Sequence, residues 1–361
     1  MQLNIELSDL KSTLAKAIGA VQKKNTIPSL ANVALIADGE TLTIKATDLD
    51  IEVTATCRAT VTQPGATTVK ADLLSAFIAK LPAGALVSLD LVDHMLNVKA
   101  GRSKSALHTL PIEEFPQMAS DTYAHQFTMQ ATELGRLFHL SKGGASTDET
   151  RYYLNGVYFH PTQDNDLCAV STDGHRLYKI TSPAHVDFPG VIVPSKTVNE
   201  LVKILDIGDV VTSISETKIR FDLGAVVIVS KVIDGTYPDY TRVIPTANNK
   251  IVSAKSSDMK AASDRVSTVS DMRGSAVKIE LTQGSAVFSV QSASGTAEDE
   301  VTVSYDGEHI TMGVNAKYFA DIMSQCSGQE VVMAINGPGD PIVVRPSDDD
   351  RALYVVMPMR V

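Results

Sequence analysis

The sequence predicts an α+β protein built from three tandem, similar domains. Three observations indicate this class: a helix-start motif that recurs three times, a second marker that recurs at nearly the same interval, and short alternating runs between them. Each domain is expected to hold two helices and several antiparallel strands. The predicted boundaries are residues 1–124, 125–248 and 249–361.

The first marker is a small hydroxyl residue followed by an acid and then by Leu or Met. The acids are Asp9, Glu133 and Asp258, which lie 124 and 125 residues apart. A hydroxyl residue that caps a helix satisfies a free backbone N–H, and a carboxylate in the first turn favours the positive end of the helix dipole. The motif therefore predicts a helix, capped by the hydroxyl residue, near the start of each domain.

The second marker is a valine at the end of a strand pattern, directly before a helical pattern. It occurs at Val69, Val193 and Val314, at intervals of 124 and 121 residues. Between the markers, runs such as residues 41–46 and 86–91 alternate apolar and polar side chains, which predicts half-buried antiparallel strands. Gly, Asp and Pro residues between the runs predict hairpins.

Composition and charge exclude several classes of protein. The 361 residues carry 32 basic and 42 acidic side chains, and a net charge of −10 disfavours a protein that simply coats nucleic acid. No apolar run approaches the ~18 residues of a membrane span, and the start lacks the pattern of a signal peptide. The three cysteines lie far apart, as expected for reduced thiols. We therefore expect a cytoplasmic protein that binds no membrane.

The chain carries no recognisable catalytic, metal or cofactor motif. Its eight histidines lack metal-ligand spacing, and a dinucleotide-binding glycine motif, a P-loop and a nucleophile elbow are all missing from the sequence. We therefore expect no enzyme activity, no metal and no cofactor. An enzyme that used His175 with a carboxylate such as Asp173 would need a partner base or metal that the sequence does not show.

Three segments have both a structural and a functional interpretation. Residues 151–156 (Arg-Tyr-Tyr-Leu-Asn-Gly) are either a strand entering a turn or a site where Arg and Tyr contact phosphates or bases. Residues 172–177 (Thr-Asp-Gly-His-Arg-Leu) are either an ordinary hairpin turn or part of a site. Residues 354–361 end in Met-Pro-Met-Arg-Val. This end is either the last strand of a sheet or part of an adaptable binding groove, because proline cannot continue a strand ladder and methionine side chains are flexible.

Together with Tyr-Pro-Asp-Tyr at 237–240 and Arg-Val-Ile-Pro at 242–245, these segments resemble the bacterial sliding clamps, the beta subunit of DNA polymerase III. Supporting matches extend the resemblance over the whole chain; they lie at residues 26–28, 47–50, 101–103, 109–111 and 114–116. The resemblance implies a non-catalytic processivity factor, a head-to-tail homodimeric ring of six domains that encircles duplex DNA without sequence preference. The partners it implies are the replicative polymerase, an ATP-driven clamp loader, repair polymerases, ligase and mismatch-repair proteins.

The resemblance also implies a peptide-binding cleft. In the family, an apolar cleft between the second and third domains receives short linear peptides with bulky apolar anchors. The matching positions in this sequence are Leu154, Thr172, Gly174, His175, Arg176, Leu177, Pro238, Arg242, Val243, Val344, Met357, Pro358, Met359 and Arg360.

A ring that surrounds DNA reconciles the acidic charge with a role on DNA. Topology would hold the protein in place, whereas tight phosphate contacts would slow sliding, because affinity for DNA comes from counterion release. A few basic and aromatic residues are then expected to contact DNA. The candidates are Lys24, Arg102, Lys104, Arg151, Tyr152, Tyr153 and Lys196, with Lys11 and Lys16 as further members.

The alternative function is a repeat-built scaffold that binds peptides but never encircles DNA. Such a scaffold would have the same cleft and would show no inward clustering of Lys and Arg on its helices.

Two small, polar stretches lie where relatives carry bulkier apolar residues toward the other subunit. These are residues 105–107 and 267–270. Because they offer little apolar area to bury, we expect the ring to open or dissociate more readily than in relatives. Sedimentation velocity across nanomolar concentrations should show monomer in exchange with dimer. Detection of dimer alone at those concentrations would contradict this expectation.

Overall fold

The fold alternates helices and antiparallel strands throughout the chain. A computed structural model describes residues 1–22, 27–270, 276–326 and 328–361. The first third of the chain contains β1 (Gln2–Glu6), α1 (Leu7–Ala17), β2 (Asn32–Asp38), β3 (Thr41–Thr47), β4 (Ile51–Arg58), β5 (Thr60–Gln63), β6 (Gly65–Lys70), α2 (Ala71–Ala79), β7 (Leu86–Val92), β8 (Met95–Ala100) and β9 (Ser103–Leu110).

The other two thirds follow a similar order, with four described strands between their two helices where the first third has five. The second contains β10 (His125–Gln130), α3 (Ala131–Ser141), β11 (Gly156–Pro161), β12 (Leu167–Thr172), β13 (Arg176–Ser182), β14 (Val191–Pro194), α4 (Ser195–Val202), β15 (Asp209–Ile214), β16 (Lys218–Asp222) and β17 (Val226–Lys231). The last contains β18 (Lys250–Lys255), α5 (Ser256–Val266), β19 (Ala276–Thr282), β20 (Ser285–Ser292), β21 (Gly295–Thr302), β22 (Ile310–Asn315), α6 (Ala316–Gln325), β23 (Glu330–Ile335), β24 (Ile342–Pro346), β25 (Ala352–Val356) and β26 (Pro358–Met359).

The prediction of an α+β class with a threefold repeat is confirmed. Helices α1, α3 and α5 each follow directly on a strand, and Asp9, Glu133 and Asp258 lie in their first turns as expected. The predicted hydroxyl caps are wrong, because each strand runs into its helix without a turn. Ser8 and Ser257 therefore lie inside α1 and α5, and the residues before these helices make no side-chain cap bond.

The described residues form two compact units. The first unit, residues 1–135 and 196–232, contains one antiparallel sheet of 13 strands in the order β10-β15-β16-β17-β4-β3-β2-β6-β9-β8-β7-β1-β5. The second unit, residues 136–195 and 233–361, contains two sheets, ordered β14-β11-β12-β13-β25-β24-β23-β18 and β21-β20-β19-β22-β26.

Sheets continue from one repeat into the next at two places. In the first unit β17 pairs with β4, and Ser230 lies opposite Ile51. In the second unit β13 pairs with β25, and Arg176 lies opposite Val356. The compact units therefore cut across the expected domains, whose boundaries stay a prediction. Among the described helices, none is long and apolar enough to cross a bilayer.

Gly156 has a different role from the one that its Asn-Gly sequence suggests. It is the first residue of β11, and its φ is not positive. A Cβ there would overlap the carbonyl oxygen of Val193 and stand 3.0 Å from Cγ2 of Ile192, both in the paired strand β14. The glycine lets β11 and β14 approach closely.

We predict that Gly156→Ala destabilises the second unit by about 1–3 kcal/mol, the usual cost of inserting a methyl into a packed site. Urea unfolding would measure the change. Gly339→Ala is the matched control, because a Cβ at Gly339 meets no atom of the described residues within 4 Å. Equal stability of the two variants would contradict the prediction.

Candidate functional site

The second compact unit contains an apolar cavity of about 160 Å³. Its wall comes from the 3-10 turn Glu149–Leu154, the loop between β12 and β13, a segment that ends in the 3-10 turn Tyr240–Val243, and the end of β25. The lining residues are Leu154, Thr172, Gly174, Arg176, Leu177, Pro238, Asp239, Tyr240, Val243, Val355 and Met357. Most of these side chains are apolar, so an apolar side chain that enters loses its contact with water.

The loop between β12 and β13 is held by its own side chains. Oδ1 of the buried Asp173 accepts hydrogen bonds from the backbone N–H groups of His175 (2.9 Å) and Arg176 (3.0 Å). Oγ1 of Thr172 accepts one from the N–H of Gly174 (3.1 Å) and donates to the carbonyl of Arg176 (2.6 Å). Gly174 has a φ of +90°, a conformation that glycine adopts without strain. The hairpin interpretation is therefore right about the turn, and the turn is also part of the cavity.

Arg176 is fixed between two carboxylates and an aromatic ring. Its Nε donates to Asp173 (3.0 Å) and its Nη1 to Asp321 on α6 (2.8 Å), and the guanidinium lies 4.3 Å from the ring centroid of Tyr318. Only 11% of the side chain is exposed. Because two carboxylates balance its charge, Arg176 presents a rigid wall more than a free cation to an occupant.

An aromatic cluster packs behind the cavity wall, which it contacts through Tyr240. The hydroxyl of Tyr240 lies 3.1 Å from Nε2 of His160 and 3.8 Å from Sγ of Cys168. Tyr158 stacks on Tyr237 at 4.8 Å and on His160 at 4.4 Å. Burial raises the pKa of Cys168 to about 11 and lowers the pKa of His160, so at neutral pH the thiol stays protonated and the imidazole neutral. The cluster is an uncharged, packed floor, not a reactive centre.

The C-terminal segment closes one side of the site. After β25 ends at Val356, the N–H of Met357 donates to the carbonyl of His175 (2.9 Å). Pro358 breaks the ladder, as expected, but Pro358 and Met359 then pair as β26 with β22 of the other sheet. The chain end therefore forms a last strand and also places Met357 in the cavity wall.

Eight of the fourteen residues expected in the cleft line this cavity. They are Leu154, Thr172, Gly174, Arg176, Leu177, Pro238, Val243 and Met357. His175 contributes its carbonyl to the C-terminal segment, and its ring lies 6.4 Å from that of Tyr318. Arg242 is 83% exposed at the rim and donates to Asp239 (2.9 Å). Pro358, Met359 and Arg360 belong to the segment that docks on β22.

Val344 does not line the cavity. It lies fully buried in β24, opposite Met333 on one side and Tyr354 on the other. Three further residues line the cavity that were not expected from the sequence: Asp239, Tyr240 and Val355. The first two lie inside the Tyr-Pro-Asp-Tyr motif, and Val355 precedes Met357 by two residues. In a strand that spacing puts two side chains on one face, so it could have indicated Val355.

The candidate DNA contacts of the first unit are exposed. Arg102 and Lys104 lie at the turn into β9 and on β9, and Lys11 and Lys16 are exposed along α1. The exposed ammonium of Lys196, at the start of α4, forms an ion pair with Asp48 and lies 3.4 Å from the carbonyl oxygen of Ala20. Lys24 lies outside the described residues.

The candidate DNA contacts of the second unit differ in their exposure and in their bonds to the rest of the protein. Tyr152 is 54% exposed and Tyr153 is half-buried, with their rings edge-to-face at 5.8 Å. Nε of Arg151 donates to Asp148 (3.0 Å), and Nη1 donates to the carbonyl of Asp173 (2.9 Å). Arg151 thus braces the loop of the cavity, a role that the sequence analysis did not foresee.

Across the described chain, no group of three or more His, Cys, Asp or Glu side chains is arranged to hold a metal ion.

Three domain models of one family match the chain. They describe the N-terminal, central and C-terminal domains of the DNA polymerase III beta subunit, and they match residues 1–119, 128–239 and 241–360. Among curated relatives, the beta sliding clamps of Caulobacter vibrioides and Escherichia coli are 40% and 32% identical, and each alignment covers 100% of both proteins.

Solved structures show the same similarity. A sliding clamp from Bartonella birtlesii bound to griselimycin is 38% identical with a TM-score of 0.96, and the match covers both chains completely. The beta sliding clamp of Caulobacter crescentus, with polyethylene glycol bound to a putative beta-motif tethering region, is 40% identical with a TM-score of 0.94. That match covers 100% of this chain and 99% of the other.

We predict that Asp321→Ala lowers the free energy of unfolding by about 1 kcal/mol, because it removes a charge-assisted hydrogen bond from the nearly buried Arg176. Asp348→Ala is the control, since Asp348 is exposed and forms no ion pair with any residue that the structure describes. Urea unfolding of both variants is the measurement. An equal, negligible change in both would show that Tyr318 and Asp173 suffice to hold Arg176.

Proposed function

This chain belongs to the DNA polymerase III beta subunit family and is a DNA sliding clamp, and we propose which of its described parts bind partner proteins, a second copy of the chain and DNA. DNA and the replicative polymerase are its partners. The apolar cavity beside Met357, in a chain that matches sliding clamps over its whole length, supports a site for tethered partners.

We propose that the cavity receives short linear peptides of the proteins that the clamp tethers. Its lining is mostly apolar, and the fixed Arg176 and the packed floor leave few ways for it to collapse. One or two bulky apolar side chains would supply most of the affinity, at roughly 25 cal/mol for each Å² removed from water. The exposed guanidinium of Arg242 at the rim suits an acidic or carbonyl group that flanks those anchors.

We propose that several proteins share this cleft. They are the replicative and repair polymerases, the ligase, mismatch-repair proteins and the clamp loader. A single small cavity admits one peptide at a time, so these partners would compete for each copy of the chain.

We propose a head-to-tail homodimer that pairs β9 of one copy with β21 of the other. In the described chain, β9 pairs with β8 along one edge, and its other edge pairs with β6 only at Thr109 and Leu110. Strand β21 pairs with β20 along one edge, and its other edge has no partner strand among the described residues. Strand edges of this kind readily add another strand. Lys104 on β9 and the acidic residues Glu298 and Glu300 on β21 have opposite charges, which favours pairing between copies.

In this arrangement the protein acts without catalysis. The dimer would form a ring around DNA, and the basic side chains of Lys11, Lys16 and Lys196 would make weak contacts with the phosphates. Most of the acidic side chains would lie on surfaces that do not face DNA. Such a protein works in the cytoplasm, where the bacterial chromosome is copied. The scaffold alternative is not favoured, because the matches to sliding clamps cover the whole chain.

We predict topological retention on DNA. After loading by a clamp loader and ATP, the protein should stay on closed circular DNA through gel filtration at ~0.5 M salt, where phosphate contacts are screened. It should leave the same plasmid within minutes of linearisation. Omitting ATP is the control for simple adsorption. Equal retention on circular and linear DNA would overturn the ring mechanism.

A further inference from the structure

The last residues of the chain dock on a glycine. Gly313 lies in the middle of β22, between β19 and β26, and it is buried. It pairs with Lys278 on one side and with Met359 on the other. The C-terminal segment thus meets the five-stranded sheet at a residue without a side chain.

Backbone conformation does not explain this glycine. Its φ is not positive, and β22 continues as a regular strand on both sides, so alanine could adopt the same conformation. The obstacle is the chain end itself. A Cβ at Gly313 would overlap the carbonyl oxygen of Met359 and Cγ1 of Val361, and it would stand 3.2 Å from the carbonyl carbon of Met359.

The same segment reaches the cavity only two residues earlier. Met357 lines the cavity and is anchored by its N–H to the carbonyl of His175. Pro358 follows and pairs with Val314, so the segment is held at His175 on one side of Met357 and at β22 on the other. A displacement of Met359 must therefore be absorbed between Pro358 and Met357, next to the cavity.

We propose that Gly313 is a positioning residue for the peptide cleft: its missing side chain lets the C-terminal segment dock on β22, and the docked segment holds Met357 in the cleft wall. The inference rests on the peptide-binding role proposed above. Gly313 is outside the cavity lining and acts only through the segment.

A methyl group at residue 313 would push the backbone of Met359 by about an ångström to reach ordinary contact distance. Because a backbone atom must move, side-chain rotation cannot relieve the overlap. The peptide would then lose contact with a well-placed Met357, and its affinity should fall about tenfold, the scale expected when one buried anchor contact is lost.

The test compares Gly313→Ala with Gly339→Ala in the full-length protein. Gly339 lies in the turn before β24 in the same unit, and within the described part of the chain a Cβ there meets no atom closer than 4 Å. The probe is a fluorescein-labelled pentapeptide with leucine and phenylalanine anchors, and anisotropy gives its dissociation constant. We expect about tenfold weaker binding for Gly313→Ala and unchanged binding for Gly339→Ala.

Deletion of residues 359–361 shows whether Gly313 acts through the segment. If it does, the deletion weakens the binding of the peptide, and adding Gly313→Ala to the truncated protein has no further effect. A general structural defect would instead weaken binding in both backgrounds. If Gly313→Ala alone does not fold, the truncation should restore folding, because it removes the atoms that the methyl group overlaps.

Three results would overturn the proposal: unchanged affinity of Gly313→Ala, a full additional loss in the truncated protein, or failure to fold in both backgrounds. A failure of the unaltered protein to bind the peptide would instead refute the proposed function of the cleft. Hydrogen exchange at the Met359 amide adds a direct readout, and it should be faster in Gly313→Ala than in Gly339→Ala.

Discussion

The geometry of the candidate site depends on one buried carboxylate, that of Asp173. One oxygen accepts two backbone N–H groups of the loop, and the other accepts Nε of Arg176. The backbone carbonyl of the same residue accepts Nη1 of Arg151. Without the carboxylate, two N–H groups would lose their partners and the nearly buried guanidinium would lose one of its two carboxylate partners, each at a cost of about 1–3 kcal/mol. The carboxylate fixes the conformation of the loop and thereby the position of the carbonyl of His175. That carbonyl in turn anchors the C-terminal segment through the N–H of Met357.

The repeat contains a second copy of the loop between β12 and β13. In the first unit, Asp48 accepts the N–H groups of Asp50 and Ile51, and Thr47 accepts that of Leu49. These bonds match those of the second-unit loop, and even the left-handed residue recurs, with φ of +79° at Leu49 and +90° at Gly174. The two loops share a backbone conformation and differ in the side chains that it carries. Leu49 occupies the loop position that Gly174 has in the cavity wall, so the same backbone frame carries different side chains in the two repeats.

Much of this could be predicted from the sequence, since markers such as Asp9 and Glu133 report helix starts that depend only on local chain chemistry. The hydroxyl caps failed because a strand that enters a helix directly leaves Ser8 inside the first turn. Val344 was expected in the cleft from the resemblance alone, and the structure places it buried in β24, outside the cavity lining. Residues 342–344 are all buried, so alternation does not show which of these side chains faces the cavity. The roles of Arg151 and Gly313 depend on contacts with distant residues, which no local pattern encodes.

The most direct test of this account locates the peptide on the protein. Methyl groups of Met and Leu are labelled, and their NMR signals are followed during titration with the leucine–phenylalanine pentapeptide. We expect saturable shifts at Met357, Leu177 and Leu154, which line the cavity, and none at Leu49 in the copied loop. Saturable binding with shifts at Leu49, or with no shift at Met357, would contradict the claim that the cavity beside the C-terminal segment is the peptide site.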